Sequence, residues 1–439
     1  MTLRAALNTT LADFNEGHLA TFAHSLDPTW IEQALGTTGT VSVRRRKLPA
    51  DRVVWLVLGM ALLRDRSIQA VCDHLHLVLP GAGTIAATSI TQARDRLGAS
   101  PFERLFDLLA EQEASRRTGP EVWRGLHLFG LDGTILPVPD SPENRRHFGS
   151  PSSGTRGEGA YPQCRLVALM HLGSHLLRAV RLGTYQQSEL SLADELLPVL
   201  PEQSLLIMDR GFACWRRLFE FGQHPGRFWL LRGKKNLTWQ VVRAHRTTDL
   251  EVDVSFSPPA RKINPDLPAT MRVRVIFYRR PGFSKQYLIT SLLDSTQYPA
   301  RELVKLYHQR WELELGFDEL KTHTLEREEA LRSRSPERVR QELYGLLIVY
   351  NLVRLEMAKV AQRLEVSPLR VSYRLALLLM RNFWLSAWLV AAGHVPQHLE
   401  QLTEDLELLL LPERRRRHQP RVVKVKMSNY RKKLRASPP

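Results

Sequence analysis

The sequence has few cysteines and no long uninterrupted apolar run. Its three cysteines in 439 residues are too few and too scattered for a disulfide framework or a zinc cluster. The longest apolar stretch, residues 375–393, is broken by Arg381, whereas a bilayer span needs about 20 mostly uncharged residues. That stretch predicts a buried helix. The first 15 residues lack the apolar segment of a secretory signal. We therefore expect a protein of the reducing cytoplasm, without a membrane partner.

Acidic residues are also under-represented relative to basic ones. The chain has 62 Lys and Arg against 45 Asp and Glu, a formal net charge of +17. Hydrophobic residues make up 43% of the sequence, which excludes a wholly disordered basic protein. Because the core can be packed, the positive excess lies on a folded surface and indicates a polyphosphate partner, nucleic acid rather than a membrane surface.

The order of apolar, polar and turn residues predicts an α/β protein with helical regions at both ends. A mixed sheet flanked by helices is interrupted by a β-rich insertion, since alternating runs such as residues 251–256 and 272–277 are punctuated by prolines. A basic tail is expected to order only on nucleic acid. The pattern divides the chain into residues 1–115 (helical, DNA-binding), 120–233 (core, first part), 234–297 (insertion), 298–365 (core, second part), 366–412 (helical) and 413–439 (basic tail).

Short helices around a tight turn characterise the amino-terminal region. The later helix, around residues 90–97, carries Arg94 and Arg96. One interpretation is a helix-turn-helix in which these arginines contact DNA. The other is a helical bundle with solvated arginines, and the sequence does not distinguish them.

Two aspartates end short apolar strands. Asp132 follows residues 127–131 and Asp209 follows residues 205–208, and a glycine comes within two positions of each. On adjacent strands the two carboxylates would lie close together and suit a hard divalent cation such as Mg²⁺. Alternatively, each aspartate only caps the turn that follows it.

A helix predicted over residues 300–322 gathers four chemical types on one side. At about 100° per residue, Tyr307, Arg310, Glu314 and Lys321 share an arc of roughly 60° at the border of the buried face. The pattern favours the edge of a functional site. A simple i,i+4 ion pair between Arg310 and Glu314 is the alternative, but it leaves the other two residues unexplained.

The same helical wheel predicts where the other acidic residues lie around this helix. Glu312 and Glu319 fall on the far side with Lys305, where the pattern predicts solvated side chains. Asp318 lies closer to the arc and competes with Glu314 for the acidic role.

These motifs together resemble DDE transposases of the insertion-sequence-4 family. The spacing Tyr307-x2-Arg310-x3-Glu314-x6-Lys321 is similar to the family's Y-R-E-K signature. The Asp132-Gly-Thr segment and the Asp209-Arg-Gly-Phe segment resemble the surroundings of its first and second aspartates. Residues 25–100 are similar to its amino-terminal domain, so that the resemblance covers nearly the whole chain.

The resemblance implies an RNase H-like catalytic domain in which Asp132, Asp209 and Glu314 are catalytic and hold two Mg²⁺ ions, with Mn²⁺ as a substitute. It further implies contacts to double-stranded DNA, without a small-molecule substrate, and an aromatic residue of the insertion that holds a flipped base. The implied DNA-contacting residues are Tyr307, Arg310, Lys321 and Arg210, joined by Arg94 and Arg96 of the amino-terminal helices. The candidates for the flipped base are Tyr287 and Trp239.

The implied activity is cut-and-paste transposition. The enzyme would cleave the inverted-repeat ends of its insertion sequence and join them to target DNA, as a homodimer in the DNA complex, in the cytoplasm and associated with the nucleoid. Two alternatives remain at this point: a catalytically inactive or co-opted DNA-binding protein, and a metal-dependent nuclease of the same fold without strand transfer.

Overall fold

The computed structural model describes residues 26–42, 47–78, 85–115, 122–151, 161–234, 237–280, 284–326, 331–386 and 394–413. Residues 1–25 of the predicted amino-terminal domain and the predicted basic tail beyond Glu413 lie outside these ranges. No helix in the described ranges combines the length and the apolar character that a bilayer crossing needs.

The amino-terminal part is helical, as predicted. Asp27 caps the first helix by accepting a hydrogen bond from the Thr29 amide, and Gly98, at φ +71°, ends the fourth. The second helix is buried along nearly its whole length, because its apolar residues pack on a long helix from the second half of the chain. The helices are α1 (Pro28–Thr37), α2 (Ala50–Leu62), α3 (Ile68–His74), α4 (Ala87–Leu97) and α5 (Ser100–Ser115).

One sheet runs through the middle of the molecule and contains ten strands within the described ranges. Its order is β4-β3-β2-β5-β6-β10-β9-β8-β7, and β1 pairs with β2 outside this path. The strands are β1 (Val122–Trp123), β2 (Leu126–Pro137), β3 (Gln163–His171), β4 (Leu177–Thr184), β5 (Ser204–Met208), β6 (Arg227–Arg232), β7 (Gln240–Arg246), β8 (Asp249–Ser255), β9 (Thr270–Tyr278) and β10 (Gln286–Thr290).

The first half of the sheet is mixed. Strands β2, β3 and β4 are antiparallel neighbours, whereas β5 lies parallel to β2 and β6 parallel to β5. The parallel connections carry two short helices, which cover one face of the sheet. A third short helix joins the antiparallel strands β2 and β3. In chain order the three are α6 (Pro142–Phe148), between β2 and β3, and α7 (Glu189–Asp194) and α8 (Trp215–Gly222), in the parallel connections. A mixed sheet with helices on both faces confirms the predicted RNase H-like α/β class.

The predicted β-rich insertion lengthens the same sheet. Strand β10 pairs antiparallel with β6, and β9, β8 and β7 follow outward. A short helix, α9 (Pro258–Ile263), interrupts these strands and was not expected from the sequence. The division of the chain into separate domains stays a prediction.

Helices of the second half cover the other face of the sheet. The longest, α12, has 28 residues and is largely buried, because it packs against the amino-terminal helices as well as the core. The helices are α10 (Ala300–Gln309), α11 (Trp311–Asp318), α12 (Pro336–Arg363), α13 (Tyr373–Ser386) and α14 (Val395–Glu407).

The single helix predicted over residues 300–322 is wrong in detail. It is divided at Arg310 into α10 and α11, and α11 continues into a π-helical turn, Glu319–Thr324. The amide of Leu325 donates to the carbonyl of Leu320, five residues earlier, at 2.8 Å. Such a turn is wider than an α-helical one, and a uniform wheel therefore misplaces the side chains that follow Asp318.

The prediction that Arg94 contacts DNA is also wrong. Its side chain is 1% exposed, and its Nε donates to Gln341 Oε1 at 3.1 Å while Nη2 donates to Ser333 Oγ at 3.1 Å. Nearby, Arg64 and Glu342 form a buried ion pair at 2.7 Å. These contacts lock the amino-terminal helices onto α12, so Arg94 has a structural role.

Candidate active site

Asp132 and Asp209 lie side by side where the parallel pairing of β2 with β5 ends. Leu131 of β2 and Met208 of β5 are the last paired residues of the parallel ladder, and each aspartate comes directly afterwards. Because Leu131 and Met208 are in register, the two aspartates that follow them belong to the same site. The prediction that a strand ends just before Asp132 is wrong, since β2 continues through Asp132 to Pro137, paired with β3.

A glycine lets the helix that carries Glu314 approach this edge. A Cβ at Gly130 of β2 would lie 2.6 Å from Leu313 Cδ1, a distance that real Cβ atoms do not show. Side chains alternate along a strand, so Gly130 and Asp132 face the same helix, α11. The missing side chain at residue 130 therefore brings Glu314, the neighbour of Leu313, towards Asp132.

Arg310 joins Asp132 to Glu314. Its Nη1 lies 3.6 Å from Asp132 Oδ2, and its Nη2 lies 3.3 Å from Glu314 Oε1. The side chain of Asp132 is 25% exposed and that of Glu314 is 40% exposed. Asp318 is exposed and accepts a hydrogen bond from Thr322 Oγ1 at 2.9 Å. Of the two competing acids, Glu314 is the one that shares the Arg310 guanidinium with Asp132 in these contacts.

Burial and neighbouring acids raise the pKa of Asp132. Desolvation is the largest cause, and the carboxylates of Glu189 and Asp209 act in the same direction. The Gly133 amide, 2.9 Å from Asp132 Oδ1, and the Arg310 guanidinium oppose the shift without cancelling it. The site thus concentrates negative charge that a cation would stabilise.

The set of donors suits a divalent cation of the hard class, because all three candidate ligands are carboxylates. Within the described ranges, however, no three Asp, Glu, His or Cys side chains stand close enough together to hold one metal ion. Arg310 occupies the position between Asp132 and Glu314. Metal binding at these carboxylates therefore requires Arg310 to move away.

Comparisons with known proteins agree with this geometry. Residues 16–107 match the family described as insertion element 4 transposase N-terminal, and residues 125–352 match the transposase DDE domain. The chain is 35% identical over 419 residues to the transposase InsG for insertion sequence element IS4 of Escherichia coli strain K12, covering 94% of this chain and 93% of that protein. The chain belongs to the insertion-sequence-4 family of DDE transposases.

Two further similarities are weaker. The putative transposase InsZ of the same strain is 37% identical over 230 residues, covering 52% of this chain and 75% of that protein. A piggyBac transposase synaptic complex with hairpin DNA superposes with a TM-score of 0.46 at 12% identity, over 90% of this chain and 86% of that one. The family membership rests on the first set of matches.

As a DDE transposase, the chain is an enzyme of DNA cleavage and strand transfer that depends on divalent metal ions. This confirms the resemblance identified from the motifs. The expectations about individual residues are a separate matter, since the family matches do not test them.

Among the predicted DNA-contacting residues beside the acidic site of this transposase, Tyr307 is the most enclosed. It is 7% exposed, and burial together with the charge of Asp209 raises its pKa to about 12. The hydroxyl is therefore a neutral group in the electrostatic field of the second aspartate. Its largely buried ring is poorly placed for stacking on a base.

Three basic candidates lie at the surface. Arg210, directly after Asp209, is exposed, and Lys321 is half-buried in the π-helical turn. Arg96 is exposed and lines a cleft of about 430 Å³ together with Thr40 and Ser42. Unlike Arg94, these three have side chains within reach of a ligand in solvent.

The two candidates for a flipped base lie together on the inserted strands. The rings of Trp239 and Tyr287 are 5.4 Å apart and edge-on, and Phe277 completes an aromatic group. The Tyr287 hydroxyl donates to the carbonyl of Lys234. Both rings are partly buried against the sheet.

Sequence patterns missed two groups of charged residues around the site. Glu189 lies over Gly133, on the opposite face of β2 from Asp132, and pairs with Arg165 at 2.8 Å. Its charge contributes to the raised pKa of Asp132, and nothing in its spacing indicated this. The prediction that Glu312 and Glu319 are solvated is wrong, since both contact the buried His175. Only the fold brings that histidine to the helix.

Proposed function

We propose that Asp132, Asp209 and Glu314 are the catalytic residues with which this transposase cuts the ends of its own insertion sequence and joins them to target DNA. The observation that carries the proposal is the arrangement of the three carboxylates: two follow paired residues of adjacent parallel strands, and the third shares Arg310 with the first. These three residues stand in the order and spacing of the family's acidic motifs.

We propose Mg²⁺ as the physiological metal, two ions per site, with Mn²⁺ as a substitute. Two bound metal ions activate the attacking oxygen and stabilise the leaving oxygen of an in-line displacement. Three carboxylates from this chain would offset most of that positive charge while leaving room for a phosphate. The raised pKa of Asp132 is consistent with this role, because the carboxylate lies in a site that favours a counter-charge.

The chain's basic side chains would orient the DNA. Arg310 can exchange its carboxylate partners for a phosphate, which its planar fork binds through two parallel hydrogen bonds. Lys321 would act as a point charge on a neighbouring phosphate, and Arg210 would contact the strand near Asp209. The surplus of 17 positive charges adds salt-dependent affinity that is independent of sequence.

A second group of contacts would recognise the DNA farther from the cut. We assign the inverted repeat to the amino-terminal helices, through the surface of α4 that carries Arg96. We assign an extruded base to Trp239 or Tyr287, on which a base can stack if the aromatic group opens. Because two ends must be joined, the active form would be a homodimer on DNA. It would act in the cytoplasm, at the nucleoid.

A cleavage and strand-transfer assay tests the function. The full chain is incubated with a labelled duplex ending in the inverted repeat of its own element, with Mg²⁺ or with EDTA. Metal-dependent 3′-hydroxyl ends and joined products support the proposal. Nicks without joined products indicate a nuclease, and binding without cleavage in either Mg²⁺ or Mn²⁺ indicates a co-opted DNA-binding protein.

A further inference from the structure

A buried ionic cluster lies behind the helix that carries Glu314. We call it the rear cluster: Glu319, Arg354, His175, Tyr350 and Glu312. Glu319 Oε2 accepts hydrogen bonds from the Arg354 guanidinium and, at 3.3 Å, from the Tyr350 hydroxyl. Arg354 and Tyr350 of α12 are fully buried. The cluster therefore ties the end of α11 to the longest helix of the protein.

His175 connects the same helix to the sheet. It lies in the turn between β3 and β4, with its Nδ1 3.1 Å from Glu319 Oε2 and its Nε2 3.0 Å from Glu312 Oε2. Glu312 and Glu319 are about two helical turns apart, and Glu314 lies between them in the chain. One imidazole thus fixes the helix on both sides of the third catalytic carboxylate.

The rear cluster also sets the start of the π-helical turn. Glu319 is the first residue of that turn, and Thr324, its last, shares a hydrogen bond of 2.6 Å with the Tyr373 hydroxyl. Lys321 lies between these two anchors. A wider turn held at both ends directs the side chains within it differently from a regular helix, and such turns occur often at functional sites.

Arg354 offsets the cost of enclosing the Glu319 carboxylate. Burial acts to raise the pKa of Glu319, but Arg354 and His175 overcome it and hold the pKa at about 2. Glu319 is therefore an anion throughout the pH range in which the enzyme would work. The Glu319–Arg354 ion pair keeps its geometry under those conditions.

We propose that the rear cluster, through His175, positions Glu314 for the metal ions and Lys321 for the DNA. This inference rests on the proposed roles of those two residues. His175 and Glu319 touch neither substrate nor metal in it; they are positioning residues that act through the helix.

The test replaces His175 by asparagine. Asn tolerates the left-handed backbone of residue 175, at φ 60°, but it is too short to reach both glutamates. His171→Asn is the matched control, because His171 lies at the other end of the same hairpin turn and bonds Ser174 at 3.0 Å. We expect kcat on the end duplex to fall about 10- to 100-fold in His175→Asn and to change little in His171→Asn, with similar melting temperatures.

A binding measurement tests the second half of the proposal. His175→Asn and Lys321→Ala are combined, and the affinity for the same duplex is measured in EDTA across a salt series. If His175 acts through Lys321, the two effects are not additive. Additive effects, or equal kcat values in the two histidine variants, overturn the proposal.

A substitute variant covers the case in which His175→Asn does not fold, and the unmodified chain shows whether the proposed function itself fails. If His175→Asn does not fold, Glu312→Gln takes its place, since it leaves the Glu319–Arg354 pair intact. A failure of the proposed function is distinguishable, because the unmodified chain would then cut no DNA in Mg²⁺ or Mn²⁺, whereas the binding cycle needs no cleavage and still tests the rear cluster.

Discussion

Gly130 lies directly beneath Leu313, so that a Cβ at residue 130 would stand 2.6 Å from Leu313 Cδ1. This contact sets the separation between β2 and α11, and with it the distance from Asp132 to Glu314.

Gly130→Ala should therefore push α11 away from the sheet. We expect a loss of about 1–3 kcal/mol in the free energy of unfolding and a larger relative loss of cleavage rate. Gly36→Ala in α1 is the control, because its added Cβ would meet no atom within 4 Å. Denaturant unfolding and the cleavage assay measure the two effects. Full cleavage activity in Gly130→Ala would contradict the role of this contact.

Glu314→Gln should abolish cleavage and preserve binding to the end duplex. The amide keeps the shape of the side chain but not the charge that holds a metal ion. We expect a rate loss of about 100-fold or more, equivalent to at least about 2.7 kcal/mol of transition-state stabilisation. Asp318→Asn is the matched control and should cut normally, since Asp318 is exposed and bonds Thr322. Cleavage by Glu314→Gln alongside an inactive Asp318→Asn would exchange the two assignments.

Arg310→Gln should tighten metal binding in the absence of DNA. In the structure the Arg310 guanidinium shares Asp132 and Glu314, and its positive charge competes with a cation for them. We expect Mn²⁺ to bind about tenfold more tightly, or about 1.4 kcal/mol, by calorimetry or electron paramagnetic resonance. The cleavage rate should fall, because the planar guanidinium that we propose to bind the phosphate is missing. Unchanged Mn²⁺ affinity would show that Arg310 does not compete with metal.

Substitution of Arg94 should lower the stability of the protein, whereas substitution of Arg96 should weaken its binding to DNA. Arg94→Ala removes a buried charge from its partners and should cost about 3 kcal/mol of folding free energy. Arg96→Ala should leave the melting temperature unchanged and lower the salt dependence of DNA binding by about one phosphate contact. Thermal melting and a binding series in salt measure both. A large stability loss in Arg96→Ala would remove its assignment as a DNA contact.

The free energy of unfolding should depend on pH through the ionisation of Asp132. The folded protein raises the pKa of Asp132 above its ordinary value of 3.8, so ionisation of this group opposes folding. Its contribution to stability is complete below pH 3.8 and is lost as the pH rises through the folded-state pKa. In EDTA, Asp132→Asn should therefore be more stable than the unmodified chain at neutral pH. The difference should shrink on acidification, as measured by denaturant unfolding at each pH.

The sequence predicted the apolar strands before Asp132 and Asp209, and the shared side of Arg310 and Glu314, because both depend on local periodicity. It placed the end of the first strand wrongly, since β2 continues past Asp132 to Pro137 by pairing with β3, which no local pattern shows. Lys321 lies beyond the start of the π-helical turn, where the α-helical wheel no longer applies. Its placement on the arc was therefore an approximation.

Arg94 and Glu319 show what local patterns do not reveal. Each is a charged residue on an amphipathic helix, which in isolation predicts solvation. Arg94 is buried and Glu319 partly buried, because α12, far away in sequence, supplies Gln341 to the first and Arg354 to the second. Long-range polar contacts of this kind have no periodic signature, and only the fold identifies them.

The buried Arg64–Glu342 pair has a consequence for how this enzyme reads its substrate. Because this pair holds the amino-terminal helices on α12, the surface that we propose to bind the inverted repeat stays at a fixed distance from the three proposed catalytic carboxylates. The number of base pairs between the bound repeat and the cleaved phosphate would then be set by the protein. An end with one base pair inserted between them would present a different phosphodiester bond to those carboxylates.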